Sequence, residues 1–106
     1  MILESDVPLP SGMSTIRSGG IRRGGGTVTG GEFIIAGEVA NARSSMDGAA
    51  ERFRAHGWAV SSTTGDSDIA TGTFVKDSRT AALTIRRRTI EPRMSTGMLS
   101  VTQAKP

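Results

Sequence analysis

The chain has 106 residues, and its 13 Lys and Arg against 10 Asp and Glu leave a net charge of +3; this is enough for one domain and no more. It holds no cysteine, which removes disulfides, thiol nucleophiles and cysteine-ligated zinc or iron–sulfur sites. No apolar run approaches the roughly 18 to 20 residues of a membrane-spanning helix. The opening "MILESDVPLP", with Glu4 and Asp6 and no basic or apolar block, does not read as an export signal.

Along the chain, "DVPLPSG" (Asp6 to Gly12) comes first. Pro8 and Pro10 flank Leu9 and favour an extended segment that lies on a surface and presents Val7 and Leu9. Residues 12–31 follow, with eight glycines, three arginines and few apolar side chains. Such a composition cannot bury enough surface to offset the ordering of its backbone. Residues 1–31 therefore read as an extended Pro/Gly/Arg-rich arm, and 32–106 as a small domain of about 75 residues, near the lower limit for a self-sufficient core. Its aromatics are only Phe33, Phe53, Trp58 and Phe74, so a partner is expected to supply burial that the domain lacks.

The small domain opens on "EFIIAGEVA" (Glu32 to Ala40), a strand with Phe33, Ile35, Gly37 and Val39 on one face. Gly37 marks a bulge or a close backbone approach. "SSMDGAAERFRAHG" (Ser44 to Gly57) is a helix. Met46, Ala49, Ala50 and Phe53 make its apolar stripe, and Ser44 with Asp47 has the spacing of a capping box. Arg52, Arg54 and His56 suit its C-terminal dipole, and Gly57 suits the left-handed position beyond it. A short strand from Trp58, a turn over Thr63 to Asp68 and a strand over Ile69 to Lys76 come next. "DSR" (Asp77 to Arg79) is a tight reversal. It leads into Thr80 to Arg88, with Ala81, Leu83 and Ile85 on one face, and Thr96 to Gln103, with Leu99 and Val101 inward, is the last strand. The order β-α-β-β-β-β with short turns predicts an α+β fold: a two-layer sandwich of one helix on a mainly antiparallel sheet, preceded by the extended Gly-rich arm.

These segments together resemble small bacterial envelope-associated domains that open with D-[IV]-P-x-P-x-G and carry a helix ending in G-W followed by a hairpin. The positions that carry the resemblance are Asp6, Pro8, Pro10, Gly12, Gly57, Trp58, Phe74, Lys76 and Ile85. It implies a non-catalytic accessory domain and favours the cell envelope, on the periplasmic side, over the cytoplasm. The chain departs from the family pattern in having neither an export signal nor a lipidated cysteine.

Little in the sequence points to catalysis. The one histidine, His56, falls in the last helical turn, where a dipole partner is the plainer role. Asp47 and Glu51 share a helix face with Arg43 and Arg54 nearby, the pattern of a solvated face. Asp66 and Asp68 in "GDSD" lack the about six to eight oxygens that calcium takes and read as a polar turn. The glycines of "RRGGGTVTGG" precede a strand and no lysine follows them, so neither a P-loop nor a dinucleotide fingerprint fits. No cofactor is expected.

What stands out is arginine. Every basic residue except Lys76 and Lys105 is an arginine, the side chain favoured at protein and phosphate contacts. The sequence thus predicts a non-enzymatic accessory subunit that docks on other protein subunits of a larger assembly. Val7, Pro8, Leu9, Pro10, Arg17, Arg22 and Arg23 of the arm form its first contact, and Arg86, Arg88 and Arg93 its second. An anionic membrane surface suits the same arginines. Nucleic acid is the alternative, resting on Arg22, Arg23 and the 86–93 segment, but "RGG" occurs only once and aromatic stacking platforms are scarce.

Overall fold

The computed structural model describes residues 2–4, 7–10, 12–24, 27–39, 41–87 and 94–103. Eight strands and one helix follow one another: β1 (Ile2–Glu4), β2 (Val7–Pro8), β3 (Met13–Gly24), β4 (Thr27–Glu38), α1 (Ala42–Ala55), β5 (Ala59–Gly65), β6 (Ile69–Lys76), β7 (Arg79–Arg86) and β8 (Met94–Gln103). β1 and β2 form a small pair. The other six strands make one antiparallel sheet in the order β3-β4-β8-β7-β6-β5. β5 to β8 are a meander that runs back across the sheet and delivers β8 between β7 and β4. α1 carries the chain from β4 to the far edge and packs on β5, β6 and β7. The result is a two-layer α+β sandwich with one face of the sheet covered.

The covered face holds the core. Phe33 and Ile35, Leu99 and Val101, Ala81, Leu83 and Ile85, and Ala70 and Phe74 alternate inward along β4, β8, β7 and β6. The helix answers with Ala42, Met46, Ala49, Ala50 and Phe53. Phe53 stacks on Phe74 at 4.1 Å between centroids and meets Trp58 edge-on at 5.4 Å. The guanidinium of Arg79, only 5 % exposed, lies 4.9 Å from the Trp58 ring centroid, a cation–π contact inside the layer. Two glycines let the layers close. A Cβ on Gly72 would sit 2.7 Å from Met46 Sδ, so its absence seats the helix on β6. A Cβ on Gly37 would sit 2.0 Å from the Gly12 carbonyl oxygen, which is the close backbone approach expected of that residue.

The helix differs from expectation at its start. Its N-cap is Asn41, whose Oδ1 accepts from the Ser44 N–H at 3.0 Å, so the chain turns helical two residues before Ser44. At the other end Gly57 takes φ +88, as the left-handed position requires. Lys76 Nζ donates to the His56 carbonyl at 2.8 Å, satisfying an acceptor at the helix end. Asp47 pairs with Arg43 and Glu51 with Arg54 on the solvated face.

The larger correction concerns residues 1–31. The boundary expected after residue 31 falls inside β4, and β3, which the sequence reading lacked, pairs with β4 from Met13↔Gly37 to Gly24↔Thr27. Val7, Leu9 and Met13 belong to the same buried cluster as the helix and the sheet. The N-terminal stretch is extended, as read, but it shares the core of the domain. The turn expected over Thr63 to Asp68 is also shorter than read, because β5 continues to Gly65.

Candidate functional site

The residues expected to grip a partner divide into three groups. Val7 is fully buried, Leu9 is 1 % exposed, and Pro8 and Pro10 are buried with them; β2 packs against α1. These four are core residues and present nothing to a partner. The physical reason is the lean aromatic content noted above: the domain fills the end of its core with its own N-terminal segment. Arg17 and Arg22 are exposed on β3, where Arg23 is also placed by its backbone pairing with Val28. Arg86 is exposed at the end of β7. Arg88 and Arg93 lie outside the described residues.

β3 and β4 form a hairpin that outruns the sheet. β4 pairs with β8 only between Gly31↔Val101 and Glu38↔Met94, whereas its pairing with β3 continues to Thr27. β8 itself runs on to Gln103, level with Thr29, so the first two residues of β4, Thr27 and Val28, pass the end of the sheet by roughly 7 Å. The molecule is 43 Å long and 25 Å by 20 Å across. Register shifts break β3 between Thr15 and Arg17 and on both sides of Arg22. Ile16, the extra residue of the first shift, is 64 % exposed, and Ile21, in the second, is 37 % exposed. The hairpin thus displays two isoleucines among its arginines. Sequence reasoning missed both, because the segment lacks the period-two pattern that marks a strand.

The face of the sheet away from α1 is uncovered among the described elements, and its layout follows from the registers. One row across it runs Arg17, Ile34, Met98, Thr84, Thr71, Thr64; the next runs Gly19, Glu32, Ser100, Ala82, Thr73, Ser62. The Thr64 and Thr71 hydroxyls lie 2.9 Å apart on it. Where the hairpin leaves the sheet, this face carries a groove of about 950 Å³ lined by Arg22, Glu32, Ser100, Thr102 and Gln103, with Gly19, Gly20, Gly30 and Gly31 along its hairpin side. Gln103 Nε2 donates to Ser78 Oγ at 3.2 Å at its far wall. Arg17, Arg22 and Arg86 are therefore brought to the same side of the sheet.

The other candidates resolve into structural roles. Asp66 Oδ1 accepts from the N–H groups of Asp68 at 2.9 Å and Ile69 at 3.0 Å, closing the β5–β6 turn on itself. These bonds, Ile69's first and then Asp68's, hold its carboxyl below the ordinary range. Asp68 pairs with Arg87 at 2.6 Å. Among the described residues no cluster of three His, Cys, Asp or Glu side chains is placed to hold a metal ion, and no helix is long and apolar enough to cross a membrane. No family model matches the chain, and no curated protein or solved structure is significantly similar to it.

Proposed function

We propose that the protein is a non-enzymatic accessory subunit that docks on another protein through the projecting β3–β4 hairpin. One observation carries this reading: the hairpin exposes Ile16 and Ile21 alongside Arg17 and Arg22 on a strand whose outer edge, among the described residues, faces no other strand of the sheet. Apolar anchors beside arginines are the composition of protein interfaces. Their placement along the edge strand β3 lets them reach a partner without disturbing the core. Nucleic acid draws on the same arginines, but Phe33, Phe53, Trp58 and Phe74 are all buried, which leaves no aromatic platform for bases.

Removing residues 1–31 is a poor test, since it also removes Val7, Leu9 and Met13 from the core. A cleaner variant replaces Ile16 and Arg17 by serine and joins Gly19 to Glu32, which are paired across the hairpin, through a two-residue Asn-Gly turn, so that all four exposed side chains are lost. Affinity capture from nuclease-treated extract, with recovered proteins identified by mass, compares this variant with the parent chain. The reading expects a defined protein partner with the parent and its loss with a still-folded variant. Retention of the partner by the shortened chain, or recovery of nucleic acid alone before nuclease treatment, contradicts it.

A further inference from the structure

We propose that the uncovered face of the six-stranded sheet is the contact surface for a second copy of this chain, the two sheets stacking about a two-fold axis that runs along β8 through Met98. This goes beyond the hairpin reading and does not depend on it.

Three observations point the same way. The first is where charge is missing. The interior of this face, along β8, β7 and β6, carries Met98, Ser100, Thr84, Ala82, Thr71 and Thr73; its charged side chains are Arg17 on the edge strand β3, Glu32 and Glu38 on β4, and Arg86 at the end of β7. A solvated face ordinarily mixes both signs at about 25–35 % charged residues, whereas a centre depleted of charge within a charged rim is the anatomy of an interface. Met98 is 49 % exposed, with the half-buried Ile34 directly across from it on β4.

The second is symmetry. β4 and β7 flank β8 on either side, so a two-fold axis along β8 lays β7 of one copy over β4 of the other. Ala36 and Arg86 both pair with Thr96, and the rotation therefore brings Arg86 over Ala36 of the second copy. Glu38 is the next residue of that face on β4, about 7 Å further along, within the span of an arginine side chain. Two Arg86–Glu38 pairs between the copies result, while Met98 meets its own counterpart on the axis. These two pairs set opposite charges together on both sides of the axis, and Glu32, which shares a row with Ser100 and Ala82, comes over Ala82 of the second copy, between the hydroxyls of Thr80 and Thr84.

The third is size. Six strands at about 4.8 Å and four residues of one face per strand span roughly 24 Å by 20 Å. This is about 480 Å² in flat projection, below the ~800 Å² per partner of a standard interface and in the range of a weaker, concentration-dependent association, at the ~10 Å spacing of stacked sheets. The outer edge of β3 is a weaker candidate for self-association, because its register shifts and the left-handed Gly20 (φ +63) interrupt any ladder.

The test is sedimentation equilibrium of the full chain from low to high micromolar concentration. The proposal expects twice the chain mass. Met98→Glu weakens association by about two orders of magnitude, since it buries a carboxylate of each copy on the axis, and leaves the far-ultraviolet circular dichroism unchanged. Arg86→Glu and Glu38→Arg each weaken it by about tenfold, and the double exchange restores it. A monomer at high micromolar concentration overturns the proposal. So does a dimer indifferent to Met98→Glu, or a double exchange no better than either single one. None of these outcomes bears on the hairpin variant above, so the two readings fail separately.

Discussion

Gly37 shows what a single residue decides in this chain. Its missing Cβ is the space in which the Gly12 carbonyl oxygen passes, at a notional 2.0 Å, so the N-terminal segment can lie on β4 only if this residue has no side chain. Gly37→Ala should destabilise the fold by about 3 kcal/mol or more, because backbone rather than a flexible side chain must move; urea denaturation measures it. Asp66 makes a prediction of the other kind. Its folded carboxyl is held below the reference 3.8, by the Ile69 N–H and then the Asp68 N–H. A depressed folded pKa contributes stability that is present above the unfolded value and is lost as pH falls through the folded one. The difference in thermal midpoint between the parent chain and Asp66→Ala should therefore be full at neutral pH and shrink in acid, as the carboxyl of the parent chain protonates. A difference that stays constant into acid would contradict this assignment. The close approach at Gly37 was legible in the sequence, since a glycine inside an apolar strand needs a reason; that Gly12 supplies it was not, because the contact spans twenty-five positions.

At the level of elements, legibility followed burial. α1, β6, β7 and β8 each bury one face, and their apolar spacing of 3.6 or 2 showed them within a residue or two. The helix start slipped because Ser44 with Asp47 imitates a capping box, while Asn41 holds the cap. Asn41→Ala should cost about 1 kcal/mol, and Ser44→Ala, whose N–H rather than side chain is used, far less; a comparison of the two by chemical denaturation settles which residue caps. β3 was illegible for a physical reason. Between Ser14 and Arg22 its described side chains are all exposed, so no face imposes alternation, and its glycines imitate a linker. Val7 to Pro10 failed in the opposite sense. Their apolar content was read as a surface to offer, and the domain uses it as core. Leu9→Ala should accordingly behave as a core truncation, costing about 2–5 kcal/mol, where a partner-facing residue would leave stability unchanged.

For the molecule as a whole, one face of the sheet is sealed by α1 and the N-terminal segment, and the projecting hairpin and the other face are left to meet something else. The arginines of the candidate site were visible in the sequence as residue types. That Arg17, Arg22 and Arg86 reach one side of one sheet depends on the crossing of α1 and the return of β8, which no local pattern encodes. Ile16, Ile21 and Met98, the large apolar side chains left in solvent among the described residues, went unremarked because no sequence pattern tells an exposed apolar residue from a buried one. The central claim is that the hairpin is the docking element. A photo-crosslinking side chain placed at position 22, with position 51 on the solvated face of α1 as control, tests it most directly in living cells. The account predicts a discrete protein adduct from position 22 and none from position 51. No protein adduct from position 22, or equal yields from both positions, would contradict it.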